Sequence, residues 1–182
     1  FKSGSIVTGK SLVGKSAEGS AQEFHLSLEP DGRVRCWISS NGTSVSTMTY
    51  SQTINYTDNQ WHFASCVYNG SNIQVQVDGR VGTSVAFTGN VHNGAQPVTL
   101  GGNTAWTASW MYGGMLDNVK IWNTALSQRD LMIEYMQGRP SYWWNFDRGE
   151  GMVSPDIAGG ANGTMLNITP SSAWQSSGNC KL

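Results

Sequence analysis

The sequence predicts an all-β fold, a two-sheet antiparallel jelly-roll sandwich with one short helix at about residues 126–138. Three observations predict it. Short segments alternate apolar and polar residues, and signals rich in Gly, Asn and Asp separate them at intervals of about ten residues. The composition agrees: 22 Gly, 22 Ser, 14 Thr and 14 Asn with 8 Trp in 182 residues suit many short strands joined by polar turns.

The first element needs an exclusion before it can be read as a strand. Residues 9–16, GKSLVGKS, fit the phosphate-loop pattern through Gly9, Gly14, Lys15 and Ser16. That loop requires a helix opening at the Lys-Ser, whose N-terminal N–H groups hold the anion. Here Gly19 falls where the first turns would run, and Phe24, Leu26 and Leu28 then alternate with His25, Ser27 and Glu29. Period two is a strand. No later strand ends in an acidic residue to hold magnesium, so the match is a coincidence of a Gly/Ser/Lys-rich stretch.

EPDGR (29–33) is a tight turn, since Pro30 sets one φ and Gly32 tolerates a positive one; Val34, Cys36 and Ile38 resume the alternation. Further turn signals follow at 40–42, 68–72, 77–80, 92–94, 101–103 and 112–114. Between them Ile73, Val75 and Val77 oppose Gln74 and Gln76, giving one apolar and one wet face. LSQRDLMIEYMQGRP (126–140) is the one helical stretch. Ser127 is its N-cap with Asp130 three residues on, Leu131, Tyr135 and Met136 form a stripe, and Gly138 and Pro140 stop it.

The totals narrow function. Only 23 residues are charged and the net is −1, with no basic run, so neither nucleic acid nor membrane insertion is expected. No apolar stretch reaches the roughly 18 residues of a membrane span, the first residues do not form a signal peptide, and Phe1 reads as an internal start that leaves targeting information outside the sequence. Five Asn-x-Ser/Thr sequons, at Asn41, Asn55, Asn69, Asn162 and Asn167, exceed the about three expected from composition and favour an extracellular or cell-surface glycoprotein. Three cysteines are no disulfide framework. Cys36 and Cys66 both lie in predicted strands, where neighbouring strands would allow a bridge and two buried thiols are the alternative; Cys180 is left over.

NQWHFASCVYNGSNIQVQVDGR (59–80), VTLGGN (98–103) and YGGMLDNVKIWNTALSQRDLMIEY (112–135) together resemble the laminin-G-like, pentraxin-like family of concanavalin-type jelly rolls. The resemblance spans residues 6–138. It implies two stacked antiparallel sheets and a closing strand that runs into a short capping helix. In that family a module opens with a segment like YWWNFDRGEGMVSPDIAGGANGTMLN, which here occupies 142–167, at the other end. The expected organisation is therefore a body, residues 1–139, lacking its first strands, followed by 140–182. That second part is either the first-strand segment of a following module or a strand that completes a roll. Tyr142, Trp144 and Phe146 share one face and are the assembly residues of that reading.

Catalytic chemistry finds little support. No Glu-x-Asp or Glu-x-Glu pair places two carboxylates on one strand face as glycoside cleavage needs. His25, His62 and His92 lack metal-ligand spacing, and His62 reads as packing or capping. Asp117 shares parity with Val119 and Ile121 and so is expected toward the apolar side. The choice there lies between backbone N–H bonds in the adjoining turn and a structural calcium that Asp147 would help to hold; otherwise no cofactor is expected. Trp106, Trp110 and Tyr112 lie in or beside one loop, either covering the sandwich end or forming a platform for a sugar ring.

Two functions follow. The first is a non-catalytic extracellular structural or adhesive module, a unit of a tandem array or strand-complemented fibre, with copies of itself or neighbouring modules as partners. The second is a carbohydrate-binding module, accessory to a glycoside-active enzyme, with glycans as partners.

Overall fold

A computed structural model describes residues 1–17, 21–102, 110–136, 153–154 and 163–164. Their elements are β1 (Lys10–Ala17), β2 (Ala21–Leu28), β3 (Val34–Ile38), β4 (Thr47–Tyr50), β5 (Ala64–Tyr68), β6 (Asn72–Val77), β7 (Arg80–Ala86), β8 (Thr99–Leu100), α1 (Gln128–Tyr135), β9 (Val153–Ser154) and β10 (Gly163–Thr164). Residues Phe1–Tyr135 and Met136–Leu182 are two compact units. In the second, β9 pairs antiparallel with β10.

The first unit is the predicted antiparallel sandwich. One sheet has the order β4-β3-β2-β1-β8 and the other β5-β6-β7. Alternation decides which side chains meet between them. Leu12, Leu28, Val34, Cys36 and Ile38 from the first sheet face Ile73, Val75 and Val77 from the second, with Phe1 and Tyr56 completing the buried cluster. Each fully buried aliphatic side chain stabilises the fold by roughly 2 kcal/mol. The turns have the expected chemistry: Gly32 sits at φ +81°, and the two-residue turn between Val77 and Arg80 places both Asp78 (φ 50°) and Gly79 (φ 74°) in the left-handed region. Such a turn matches the twist of the strands it joins.

The stretch that mimics a phosphate loop is β1, laddered to β2 with Gly14 opposite His25. Cys36 and Cys66 form a disulfide. It joins β3 of one sheet to β5 of the other, so the bridge crosses the sandwich and does not link neighbouring strands.

The helix is shorter than the sequence suggests, Gln128–Tyr135. Its start is a capping box: the Asp130 N–H donates to Ser127 Oγ (3.2 Å) and the Ser127 N–H to Asp130 Oδ2 (3.3 Å). Leu131 is its buried residue, and Tyr135 lays its ring against Phe63, centroids 5.8 Å apart, so α1 packs on the second sheet.

The closing strand expected within 112–135, ahead of the helix, joins no ladder among the described residues. Its one bridge among the described residues is Met115 to Lys2, with paired N–H···O bonds of 2.9 and 3.0 Å. Beyond it Val119, Ile121 and Trp122 are exposed. Asp117 is exposed as well, and does not point into the apolar interior as its parity implied. Parity assigns a face only where a ladder holds the pleat. Its carboxylate instead accepts from the Asn118 N–H (2.8 Å) and Asn118 Nδ2 (3.2 Å), at a residue with φ 50°.

Candidate functional site

The side chains that alternate with the core of the five-stranded sheet lie on its outer face. They are Glu23, His25 and Ser27 from β2, Arg35 and Trp37 from β3, and Met48 and Tyr50, opposite Trp37 and Arg35 on β4. From β1, Ser11 stands opposite Ser27. Several are polar yet fully buried, among them Glu23 (2% exposed) and His25 (0%), which obliges them to be paired.

Glu23 is held by Lys15, whose Nζ lies 2.8 Å from Oε2, and its Oε1 accepts the Gly94 N–H at 2.7 Å. Lys15 Nζ also donates to Asn93 Oδ1 (2.7 Å) and the Gly94 carbonyl (2.9 Å), pinning the 92–94 loop onto the sheet. On the other side of His25, Ser11 Oγ donates to the Gly102 carbonyl at 3.0 Å. A hydroxyl has one proton, so the 2.8 Å contact between Ser11 Oγ and His25 Nε2 must be donated by the imidazole. His25 is thereby fixed as the Nε2–H tautomer.

The two glycines of the false phosphate loop acquire a role here. A Cβ on Gly14 would fall 2.6 Å from His25 Cδ2, and one on Gly9 would fall 2.7 Å from Trp110 Cζ3. Glycine at these positions lets both rings lie on the sheet. The rings of His25 and Trp37 are 5.4 Å apart and those of His25 and Trp110 6.1 Å.

Burial, reinforced by the nearby Arg35 guanidinium, holds the His25 pKa down to about 3. In the unfolded chain it returns to about 6.5. The unfolded state therefore takes up a proton first, so His25 favours folding above pH 6.5 and this advantage is lost as pH falls toward 3. The expected loss between pH 6.5 and 4.5 is about 2 kcal/mol. Denaturant unfolding at the two pH values checks it, with His25→Gln expected to remove that share of the pH dependence.

Toward solvent the face carries a lane of guanidinium, carboxylate and aromatic groups. Arg35 Nε lies 3.1 Å from Glu29 Oε1 and its Cζ 5.8 Å from the Trp110 ring. Ser27 Oγ donates to Glu29 Oε1 at 2.7 Å. Beside them Arg33 Cζ stacks 4.6 Å over Tyr50, with its Nε 2.8 Å from Asp31 Oδ2. Trp110 and Tyr50 are half-buried.

The sequence-derived candidates do not converge on one platform. Trp110 is in the lane. Tyr112 packs at the margin of the core, its hydroxyl donating to the Lys2 carbonyl at 2.6 Å. Trp106 lies outside the described residues, as do Asp147, Tyr142, Trp144, Phe146, Asn162, Asn167 and Cys180. No group of three or more His, Cys, Asp or Glu that could hold a metal occurs among the described residues. His62 caps, with Nδ1 2.7 Å from Asp78 Oδ2 and Nε2 2.8 Å from Asp58 Oδ1. Asn41, Asn55 and Asn69 are exposed, each in a turn where its Oδ1 accepts a backbone N–H two residues on. Sequence reading passed over Glu23, Arg35 and Trp37; the signal was their parity opposite Phe24, Cys36 and Ile38.

Residues 1–132 match the family model of the concanavalin A-like lectin/glucanases superfamily. The chain belongs to this superfamily. Its fold is shared by the CBM40 of the Ruminococcus gnavus IT-sialidase bound to α2,3 sialyllactose, with a TM-score of 0.61 and 16% identity, covering 74% of this chain and 78% of that one. The same CBM40 bound to α2,6 sialyllactose gives a TM-score of 0.57 and 17% identity, covering 72% and 77%. At such identities the likeness is one of fold. No curated protein matches this concanavalin A-like chain in sequence.

Proposed function

We propose that this concanavalin A-like domain is a non-catalytic carbohydrate-binding module working outside the cell. The observation that carries the reading is the lane of Trp110, Arg35 and Glu29 beside Tyr50, Arg33 and Asp31. Aromatic rings cover the apolar face of a sugar, while planar guanidinium donors and carboxylate acceptors match its ring hydroxyls. The bound sialyllactose of the structural relatives supports a glycan as the ligand class. The Cys36–Cys66 disulfide supports an oxidising compartment.

Titration against an oligosaccharide panel tests the proposal. The wild-type chain should bind at least one glycan, and Trp110→Ala or Arg35→Ala should each weaken it by roughly 10–30-fold, as expected for removal of an interface anchor. Tyr112→Phe, which removes a hydroxyl held by the Lys2 and Met115 carbonyls at the core margin, should leave affinity unchanged. Equal affinity in the Trp110 and Arg35 variants overturns the assignment.

A further inference from the structure

The ion pairs of the lane decide what charge its ligand carries. Arg35 and Glu29 are mostly buried, with 18% and 15% of their side chains exposed, and their 3.1 Å contact matches one cation with one anion. Arg33 and Asp31 repeat the arrangement nearer solvent, where the Arg33 backbone N–H also donates to Asp31 Oδ1 at 3.0 Å. The two guanidiniums are thus matched one for one. Behind them Lys15 is matched by Glu23, and His25 is uncharged at neutral pH. Together these groups leave no net positive charge.

The same groups are not saturated. Glu29 Oε1 lies against Arg35 Nε and accepts the Ser27 hydroxyl at 2.7 Å, whereas Glu29 Oε2 accepts no hydrogen bond from the described residues. Arg35 donates through Nε to Ser27 Oγ at 3.4 Å, and its Nη groups donate to none of the described residues. A free carboxylate oxygen therefore stands beside free guanidinium N–H groups. A sugar hydroxyl both donates and accepts, so two hydroxyls on neighbouring ring carbons satisfy such a pair together. An ionised ligand carboxylate only accepts, and Glu29 would meet it with like charge in a largely desolvated place.

We infer that the lane selects neutral sugars: Glu29 Oε2 accepts from one ring hydroxyl, Arg35 Nη donates to its neighbour, and the Glu29 charge turns away sialic and uronic acids. This ligand class rests on the glycan reading proposed above, and it differs from the sialyllactose bound to the structural relatives. Glu29 is then the residue that sets specificity. Trp110 and Tyr50, stacked against Arg35 and Arg33, hold the two guanidiniums in place for the task.

The test is calorimetric titration of the full 182-residue chain against two ligand sets. One holds neutral disaccharides (lactose, cellobiose, maltose, xylobiose and chitobiose), the other acidic sugars (both sialyllactoses, digalacturonate and cellobiuronic acid), with weak members ranked by competition. Wild type should bind at least one neutral member about tenfold or more tightly than any acidic one. That affinity should hold from about 20 to about 500 mM sodium chloride, since the ligand carries no charge to screen. Glu29→Gln keeps the shape of the side chain and drops its charge, so the preference for neutral over acidic members should shrink by about tenfold. Near-ultraviolet circular dichroism monitors the fold of the variant, and the wild-type comparison and salt series decide the matter without it. Acidic sugars that bind as tightly as neutral ones, or a Glu29→Gln preference equal to wild type, overturn the neutral assignment and leave the glycan reading standing. A wild-type chain that binds neither set overturns both.

Discussion

Replacing Cys36 and Cys66 together by alanine is expected to remove about 3.5 kcal/mol of folding stability, the loop-closure term for the 30-residue separation of the bridge. For a chain of this length that corresponds to a fall in melting temperature on the order of 10 °C. The size follows from the length of chain that the bridge closes. The link closes a loop of about 30 residues in the unfolded chain, which lowers its entropy, and in the folded chain it ties β3 of one sheet to β5 of the other. It also anchors β5, whose outer edge no described strand supports. Calorimetry of the wild-type and double-alanine proteins under non-reducing conditions checks this. Equal melting temperatures contradict it.

Gly82→Ala is expected to destabilise by about 3 kcal/mol, near the upper end for an overpacked site. Gly82 lies in β7 where the register with β6 shifts between Gln74 and Gln76. A Cβ there would meet the Tyr50 carbonyl oxygen, would lie 2.8 Å from Ser51 Cα and would lie 3.0 Å from the Val75 carbonyl oxygen. All three are backbone atoms, which cannot rotate aside as a side chain can. Relief requires β4 and β7 to separate, breaking the Thr49 and Gln52 bonds that close that edge. Ser84→Ala, two residues on and exposed, should change stability by no more than about 0.5 kcal/mol, and guanidinium unfolding of the pair separates the two effects.

Much of the candidate site was written in strand parity. Phe24, Leu26 and Leu28 on one parity of β2 leave Glu23, His25 and Ser27 on the other, and β3 does the same with Arg35 and Trp37. What parity could not show is that these two sets lie side by side, or that Trp110, more than 70 residues away in the chain, comes to rest on them. The pairing of Glu23 with Lys15 was hidden for the same reason. The Gly9–Ser16 motif misleads in isolation because glycine serves any close approach. Here His25 and Trp110 rings, not phosphates, need the space.

The failure at Asp117 has a different origin. Alternation over 116–122 predicts a strand face, but the face becomes real only when a neighbouring backbone holds the pleat, and Met115 is the last residue of that segment in a bridge. Local order alone therefore sets the strand alternation, the EPDGR and VDGR turns and the Ser127–Asp130 cap, because each depends on residues within a short stretch of chain. Partner choice was left to the folded chain. The disulfide across the sheets, the tautomer of His25 and the place of Trp110 on the β2–β3 face all arise from long-range neighbours, whose identity depends on how whole strands stack and not on the residues beside them in the chain.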